Sequence, residues 1–237
     1  MAVLISREVR DGEISATGAL SMIPAAGLLL AQATHAPTAE IIILGSKAFM
    51  PFKTSRQFHY LAQRGDLGLF FVSGVQIDQY GNYNLHQLGS DRDRPKKRFP
   101  GGYGGGMIYY AAKRTILFRT EHSTRSMVEQ VDFVSAAGST PPNISRLGHP
   151  WKVLSPIATL AMDRKAERLR LESFHEPHTL NKVRENTGWD LGDCEGVGPT
   201  PEPTVEELTT LRGAVRERMV QTGTYADWAR DTLRENS

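Results

Sequence analysis

The 237-residue sequence has a single cysteine and almost no net charge. Because Cys194 stands alone, it excludes an internal disulfide and a cysteine-rich zinc site, and it suits a reducing cytoplasm. The 28 basic and 26 acidic side chains leave a formal charge of +2, so no global field favours nucleic acid or a membrane surface. We therefore expect a cytoplasmic protein without a nucleic-acid partner.

Long hydrophobic runs are also missing. The longest run, from Gly18 to Ala33, is short and contains Pro24, which indicates a buried helix rather than a membrane span. The segment from Met1 to Glu13 carries charges and has no apolar stretch, so it does not resemble a secretory signal. These features predict a protein that does not associate with a membrane.

Several catalytic and metal-binding motifs are absent from the sequence. There is no G-x-S-x-G motif, and Cys194 has no histidine near it in sequence. His175 and His178 enclose Pro177 and lack the spacing of a helical zinc site. The sequence therefore predicts no metal ion and no permanently bound cofactor.

Glycine, by contrast, is concentrated at one point, where five glycines fall within residues 101–106. Such a run lets the backbone approach a ligand closely or directs N–H groups at an anion. Neither common nucleotide loop fits, because Met107 stands where a Walker lysine or the third Rossmann glycine is required. The basic run 91–98 precedes these glycines, and composition alone favours a solvated loop over ligand binding for it.

Apolar runs that are typical of buried strands alternate with helical patterns along the chain. This alternation predicts an α/β fold with an open, largely parallel sheet and helices on both faces. The predicted strands are 39–44, 67–73 and 115–118, a further candidate at 131–134, and a later pair at 153–161 and 168–171. The predicted helices are 17–34, 54–64 and 178–186.

The domain organisation is predicted to be simple. With 40% hydrophobic residues and no internal repeat, residues 1–237 can form one domain with a substantial core. A Gly/Pro-rich linker is predicted near 192–203. A helix over 204–220 follows it, and the capping box from Thr204 to Glu207 marks its start.

Hydrogen-bonding side chains follow the second predicted strand, at the edge where ligands gather in open α/β sheets. Turn chemistry explains Asp78 and Asn82. It does not explain Gln76, Asn84 and His86, although each of them is also compatible with an ordinary structural role. The residues alone indicate an α/β protein with a glycine-lined site.

Taken together, these segments resemble the beta subunit of class I CoA-transferases of the glutaconate CoA-transferase type. The similarity runs in the family's order from about Gly12 to Leu211, and its specific part is Q-x-D-x-x-G-N-x-N followed by the glycine loop. The matching segments are 29–31, 34–37, 74–78, 81–84, 98–106, 131–134, 175–178 and 183–188.

The resemblance implies a partner and a role for the glycine loop. The partner is a homologous alpha subunit, in a heterodimer or an α2β2 heterotetramer, with the active site at the interface. The backbone N–H groups of Gly104, Gly105 and Gly106 would stabilise the oxyanion of a thioester carbonyl. Coenzyme A would then be part of an acyl-CoA substrate rather than a bound cofactor.

The resemblance also implies further site residues by their position. The substrate site at the end of the first predicted strand would include Ile43, Leu44, Gly45 and Ser46. Gln76 and Asn84 would lie in or beside the acyl pocket. The phosphates of coenzyme A would contact Lys96, Lys97 and Arg98.

One departure from the family concerns the nucleophile. The transferases place a glutamate just after this strand, where the present sequence has Ile43, or Leu44 if the alignment shifts by one. Glu40 lies too early, and its odd offset along the strand points it to the opposite face. Relatives without this glutamate include a ring-opening hydrolase of steroid degradation, whose catalytic carboxylate comes from the alpha subunit. Another is a decarboxylase with a cysteine near this position.

We therefore predict the beta subunit of a heteromeric enzyme that acts on an acyl-CoA thioester by hydrolase or lyase chemistry. A conventional CoA-transferase beta subunit is one alternative. A non-catalytic subunit that binds coenzyme A is the other.

Overall fold

The architecture is mixed α/β, and a computed structural model describes it over residues 1–234. The helices are α1 (Ala2–Ser6), α2 (Met22–Ala33), α3 (Ser55–Gln63), α4 (Gly105–Ala111), α5 (Leu180–Asn186), α6 (Val205–Thr210), α7 (Arg216–Gln221) and α8 (Ala226–Thr232). A π-helical turn, Leu211–Val215, joins α6 to α7.

Twelve strands are described, most of them short. The longer strands are β1 (Ile14–Thr17), β2 (Glu40–Ile43), β3 (Leu67–Val72), β8 (Arg114–Phe118), β10 (His149–Leu154), β11 (Ala158–Asp163) and β12 (Arg168–Phe174). The shorter strands are β4 (Gln76–Asp78), β5 (Tyr83–Asn84), β6 (Gln87–Leu88), β7 (Lys97–Arg98) and β9 (Met127–Val128).

Contacts within the chain define two compact units. The first unit comprises residues 1–71 and 201–237, and the second comprises residues 72–200. The single domain 1–237 and the linker near 192–203 stay predictions.

Three parallel strands in the order β3-β1-β2 form the centre of the first unit. The side chains of Ala16 and Thr17 in the middle strand are fully buried, and Ile43 in β2 is too. Strands buried on both faces are typical of parallel sheets. The buried segment 24–31 of α2 packs against α1, β1 and β2.

The second unit combines four longer strands with two small sheets. The four strands lie in the order β12-β11-β10-β8, in which β8 and β10 are parallel and the other pairs are antiparallel. A small sheet, β5-β4-β9, carries Gln76 and Asn84 as directly paired residues. The hairpin of β6 and β7 precedes the glycine loop.

The predicted α/β class is confirmed, and most of the longer strand pairings are parallel. The strands predicted over 39–44, 67–73 and 115–118 are present as β2, β3 and β8. The helices predicted over 54–64 and 178–186 are present as α3 and α5.

Three predictions about secondary structure were wrong. Residues 131–134 form no strand, because the N–H groups of Val131 and Asp132 donate to buried side chains instead of a strand partner. The helix predicted from residue 17 begins only at Met22, since Thr17 is the last residue of β1 and residues 18–21 form the connection to the helix. The strand predicted over 153–161 is two strands, joined by a turn at Ser155, Pro156 and Ile157.

Within residues 1–234, no helix has both the length and the hydropathy needed to cross a membrane.

The C-terminal helices are joined to the N-terminal end of the first unit by a two-pronged ion pair. Arg7 Nε donates to Glu207 Oε1 and Arg7 Nη2 to Glu207 Oε2, both at 2.7 Å. The same guanidinium also donates to the carbonyls of Pro201 and Glu202. Hydrogen bonding from Arg7 lowers the pKa of Glu207 to about 2. Such two-pronged pairs are stronger and more directional than a single contact.

We expect Glu207→Gln to destabilise the first unit by about 1 kcal/mol at pH 7, because glutamine keeps the capping geometry but loses the charge. Folding favours the ionised form of Glu207, since its pKa is lowered from 4.5 to about 2. Its contribution is therefore full above pH 4.5 and is lost as the pH falls towards 2. Denaturant unfolding at pH 7 and at pH 3 measures both effects.

The matched control is Glu206→Gln, which changes the exposed neighbour in the same helical turn. Equal losses of stability in the two variants, or a Glu207 effect that does not shrink at low pH, would show that the ion pair is unimportant.

Candidate active site

The ends of β1 and β2 border a cavity of about 500 Å³ in the first unit. Thr17 and Ile43 are paired at the carboxyl ends of these strands, and Leu44 N–H donates to Thr17 O. Gly45 has a φ of +86°, which allows the chain to turn sharply there. The cavity is lined by residues 19–20, 44–47 and 222–225. Ligand sites of α/β sheets lie at such strand ends.

Ser46 has the only hydroxyl within residues 43–46, and its hydrogen bonds are already made. Its Oγ accepts the N–H groups of Ala48 and Phe49, and it lies 2.7 Å from Thr224 Oγ1. With both lone pairs engaged, its proton goes to Thr224. Ser46 therefore fastens the strand end to the C-terminal segment and has no base beside it that would make it a nucleophile.

Carboxylates are absent from the residues that line this cavity. Ile43 is fully buried, Leu44 is half-buried, and Glu40 is exposed at the start of β2. The end of β2 therefore carries no carboxylate that could attack a carbonyl carbon.

In the second unit, Gln76 and Asn84 form a buried amide pair. Asn84 Nδ2 donates to Gln76 Oε1 at 2.8 Å and to Gln87 O at 2.6 Å, while Asn84 Oδ1 accepts from the N–H groups of His86 and Gln87. Gln76 Oε1 also accepts from Asp132 N–H at 3.0 Å. The Asn84 amide is fully engaged inside the chain. Gln76 Nε2, by contrast, has no hydrogen-bond partner within residues 1–234.

Asp78 organises the turn between these two residues. Its buried carboxylate accepts hydrogen bonds from Tyr80 N, Asn82 N and Asn82 Nδ2, at 2.9 to 3.1 Å. Burial raises the pKa of Asp78. Asn82 Oδ1 in turn accepts from Gly138 N. The Q-x-D-x-x-G-N-x-N run thus forms a connected network of buried hydrogen bonds.

The glycine loop leads directly into α4, a helix that the sequence did not reveal. Gly101 and Gly104 have φ angles of +90° and +83°, which only glycine adopts without strain. Gly105 N–H is engaged, donating to Gly102 O at 2.6 Å. The N–H groups of Gly104 and Gly106 have no acceptor among the described residues.

A buried tyrosine lies directly behind this loop. Tyr83 is completely buried, and its hydroxyl has no hydrogen-bond partner among the described residues. A Cβ built at Gly105 would lie 3.1 Å from this hydroxyl, so Gly105 permits close packing against the core. Burial raises the pKa of Tyr83, which keeps the phenol protonated.

The sequence indicated neither the role of His86 nor its contact with Ser135. His86 Nδ1 lies 2.5 Å from Ser135 Oγ, and Ser135 Oγ also accepts Leu85 N–H at 2.7 Å. The His86 ring packs against Phe133 and sits under Gly101. His86 therefore supports the glycine loop, a role that the spacing of residues could not indicate.

The predicted coenzyme A residues lie just before the loop. Lys96, Lys97 and Arg98 are exposed, and no carboxylate within residues 1–234 pairs with them. Arg98 donates to Arg92 O, and Lys97 Nζ lies 5.3 Å from the Phe99 ring. The three cations are available to an anionic ligand.

Two further histidines make hydrogen bonds within the chain: His122 is buried and His175 is half-buried. His122 is buried between Ser155 and Thr187, and burial lowers its pKa to about 4. His175 contacts Thr200 and Ser155 O. Across residues 1–234, no group of three or more His, Cys, Asp or Glu side chains could hold a metal ion.

A model of the coenzyme A transferase family matches residues 40–186. The chain is 27% identical to the B subunit of 3-oxoadipate CoA-transferase from Pseudomonas knackmussii, over 90% of each chain. It is 28% identical to the B subunit of glutaconate CoA-transferase from Acidaminococcus fermentans, over 87% of this chain and 88% of that one. It is also 28% identical to the cholesterol ring-cleaving hydrolase IpdB subunit of Rhodococcus jostii, over 89% and 88%.

Solved structures share the fold. Rhodococcus jostii IpdAB superimposes with a TM-score of 0.78 at 24% identity, over 90% of this chain and 91% of that one. Glutaconate CoA-transferase from Acidaminococcus fermentans gives 0.77 at 25% identity, with the same coverage. The decarboxylase AibA/AibB gives 0.77 at 20% identity, over 89% and 91%.

These similar proteins are named for three different reactions, so the similarity leaves the reaction type open. The family model spans more than half of the chain, including the strand end at Ile43 and the glycine loop. The chain therefore belongs to the coenzyme A transferase family.

Proposed function

We propose that this chain is the beta subunit of a two-subunit enzyme that acts on an acyl-CoA thioester by hydrolase or lyase chemistry. A homologous alpha subunit supplies the catalytic carboxylate, which takes a proton from water or from the substrate. The relatives support this assignment, since the similar chains are B subunits by name and two of the similar structures are the pairs IpdAB and AibA/AibB.

The observation that carries the proposal is the apolar strand end. A transferase that forms a covalent thioester needs an oxygen nucleophile here. Ile43 and Leu44 offer none, Glu40 is exposed at the other end of β2, and Ser46 has its hydrogen bonds made within the chain.

The glycine loop of the second unit has an electrostatic role. The free N–H groups of Gly104 and Gly106 stabilise the negative charge that develops on the carbonyl oxygen, while Gly105 shapes the turn. Lys96, Lys97 and Arg98, without carboxylate partners of their own, bind the phosphates of coenzyme A.

The two residues of the amide pair have different roles: Gln76 contacts the acyl group, and Asn84 holds Gln76 in position. Asn84 Nδ2 donates to Gln76 Oε1, which fixes the orientation of the Gln76 amide. Gln76 Nε2 then remains as a donor for the acyl group. Asn84 acts through Gln76 and does not touch the substrate.

Conventional CoA transfer is the second candidate. It is favoured by the relatives, two of which are B subunits of CoA-transferases at an identity close to that of the hydrolase subunit. A subunit that only binds coenzyme A is the remaining alternative. Both are distinguishable from the proposal by experiment.

Assembly gives the first test. Coexpressed with its alpha-type partner, the chain should copurify in equal stoichiometry, and turnover of acyl-CoA should require both chains. Apolar side chains that are available for such an interface include Tyr103, Ile144 and Leu147, which are 93%, 50% and 54% exposed. Size-exclusion chromatography with light scattering gives the stoichiometry. A monodisperse monomer with full activity would contradict the proposal.

The oxyanion role is tested by Gly106→Pro, which removes one free N–H. Proline is tolerated in the first helical turn, where this group has no internal acceptor. We expect turnover by the complex to fall about 100-fold or more, the usual cost of losing one oxyanion donor.

Gly106→Ala is the matched control, because it adds a Cβ near Ser135 O but keeps the N–H. If both variants lose the same activity while the complex stays folded, the effect is steric and the Gly106 N–H has no catalytic role.

A further inference from the structure

A second cavity, of about 210 Å³, lies in the second unit beside the amino ends of β8 and β10. It is lined mainly by residues 138–140, residues 146–150 and the turn that joins β11 to β12. His149 and Arg114 are the paired first residues of β10 and β8, so the cavity adjoins the amino ends of these parallel strands. It shares no residue with the glycine loop, the amide pair or the cavity of the first unit. The function proposed above therefore makes no use of it.

Arg146 is a half-buried cation that the main chain holds in one position. Four of its five N–H groups donate to main-chain carbonyls, at 2.5 to 3.0 Å. Its guanidinium carbon also lies 4.4 Å from the centre of the Tyr110 ring. No carboxylate within residues 1–234 pairs with this guanidinium. A partly buried charge is normally compensated by an opposite charge, and an anion in the cavity would compensate this one.

Arg164 adds a second cation to the lining, and Ser139 adds a hydroxyl. Arg164 is exposed, and neither side chain has a hydrogen-bond or ion-pair partner among the described residues. Glu167 is the one carboxylate of the lining, and this exposed side chain forms no ion pair within residues 1–234. Guanidinium groups with several N–H donors are the groups that proteins use most to bind phosphate-like oxyanions. The donors of the cavity therefore match an oxyanion.

The histidine in the lining reports the excess of positive charge. Burial, followed by the charges of Arg164, Arg146 and Arg114, lowers the pKa of His149 to about 4. Its Nε2 atom is buried and has no hydrogen-bond partner among the described residues. Three guanidinium groups thus act on one neutral ring, and Glu167 is the only acidic residue of the lining that opposes them.

We propose that this cavity is a binding site for a small, doubly charged oxyanion of the size of sulfate or inorganic phosphate. Arg164 and the remaining N–H of Arg146 bind the oxygen atoms of the ion, and the Ser139 hydroxyl donates a further hydrogen bond. A volume of about 210 Å³ equals that of several water molecules, so it holds such an ion with part of its hydration shell. This site goes beyond the proposed function, because no part of an acyl-CoA enters it.

The test uses inorganic sulfate, whose charge does not change near neutral pH. Its dissociation constant is measured by calorimetry on the intact complex with the alpha subunit, at pH 7 and constant ionic strength. Arg164→Met should raise this dissociation constant about fivefold, the upper range for one exposed charged contact. Glu167→Gln should lower it about twofold, because it removes a negative charge from the lining. Opposite shifts in the two variants are the signature of an anion in this cavity.

Arg56→Met and Glu185→Gln are matched controls, because both residues are exposed and neither lines the cavity. They change the net charge of the chain by the same amounts and should keep the sulfate affinity of the unmodified complex. Thermal unfolding of each variant verifies that the complex is intact.

Two results would overturn the proposal. If Arg164→Met and Glu167→Gln shift the affinity no more than their controls do, the sulfate binds elsewhere on the complex. If the intact complex binds no sulfate, the cavity does not take a free oxyanion, as when a carboxylate of the alpha subunit already fills it. Neither result bears on the proposed function, which is measured by turnover of acyl-CoA.

Discussion

The hydrogen bond between Asn84 and Gln76 is the interaction on which the second unit's site depends. Both side chains are buried, and a buried amide without partners is costly, so each donor and acceptor has to be met inside the chain or by a ligand. The hydrogen bonds that satisfy these groups connect β4 to Asp132 and connect β5 to Gln87, the first residue of β6. Asp78 does the same for the intervening turn. The glycine loop packs against this network, since the His86 ring lies against Gly101 and the His86 N–H donates to Asn84 Oδ1.

In the first unit, the end of β2 carries no carboxylate. Ile43 is buried, and the Ser46 hydroxyl is committed to the C-terminal turn. Backbone donors such as those of the glycine loop can polarise a thioester carbonyl, but a carboxylate is needed to move a proton, and we propose that another chain supplies it. Relatives named as transferase, hydrolase and decarboxylase fit this picture, because one scaffold can serve several reactions when the reactive groups differ.

Local sequence patterns predicted the parts of the fold that depend on local residues. The β-branched run at 41–43 and the apolar run at 67–72 could hardly be anything but buried strands. The strand Ile14–Thr17 escaped notice because it is short, contains the small residues Ser15 and Ala16, and becomes a strand only through pairing on both sides with β2 and β3. The sequence contains a signal for the pairing of Gln76 with Asn84, since a turn at Gly81 and Asn82 makes them cross-strand partners. It contains no signal for the cavity wall in the first unit, because the contacting residues Ser46 and Thr224 are 178 residues apart.

The most direct measurement is mass spectrometry of the separate subunits after the complex has been incubated with acyl-CoA. If the reactive carboxylate belongs to the alpha subunit and no covalent transfer passes through this chain, its intact mass stays unchanged during turnover. Peptide mapping then finds no coenzyme A adduct on any of its carboxylates. An adduct on this chain, above all at Glu40, would show that it carries the transferase nucleophile and would contradict the proposed division of chemistry between the two subunits.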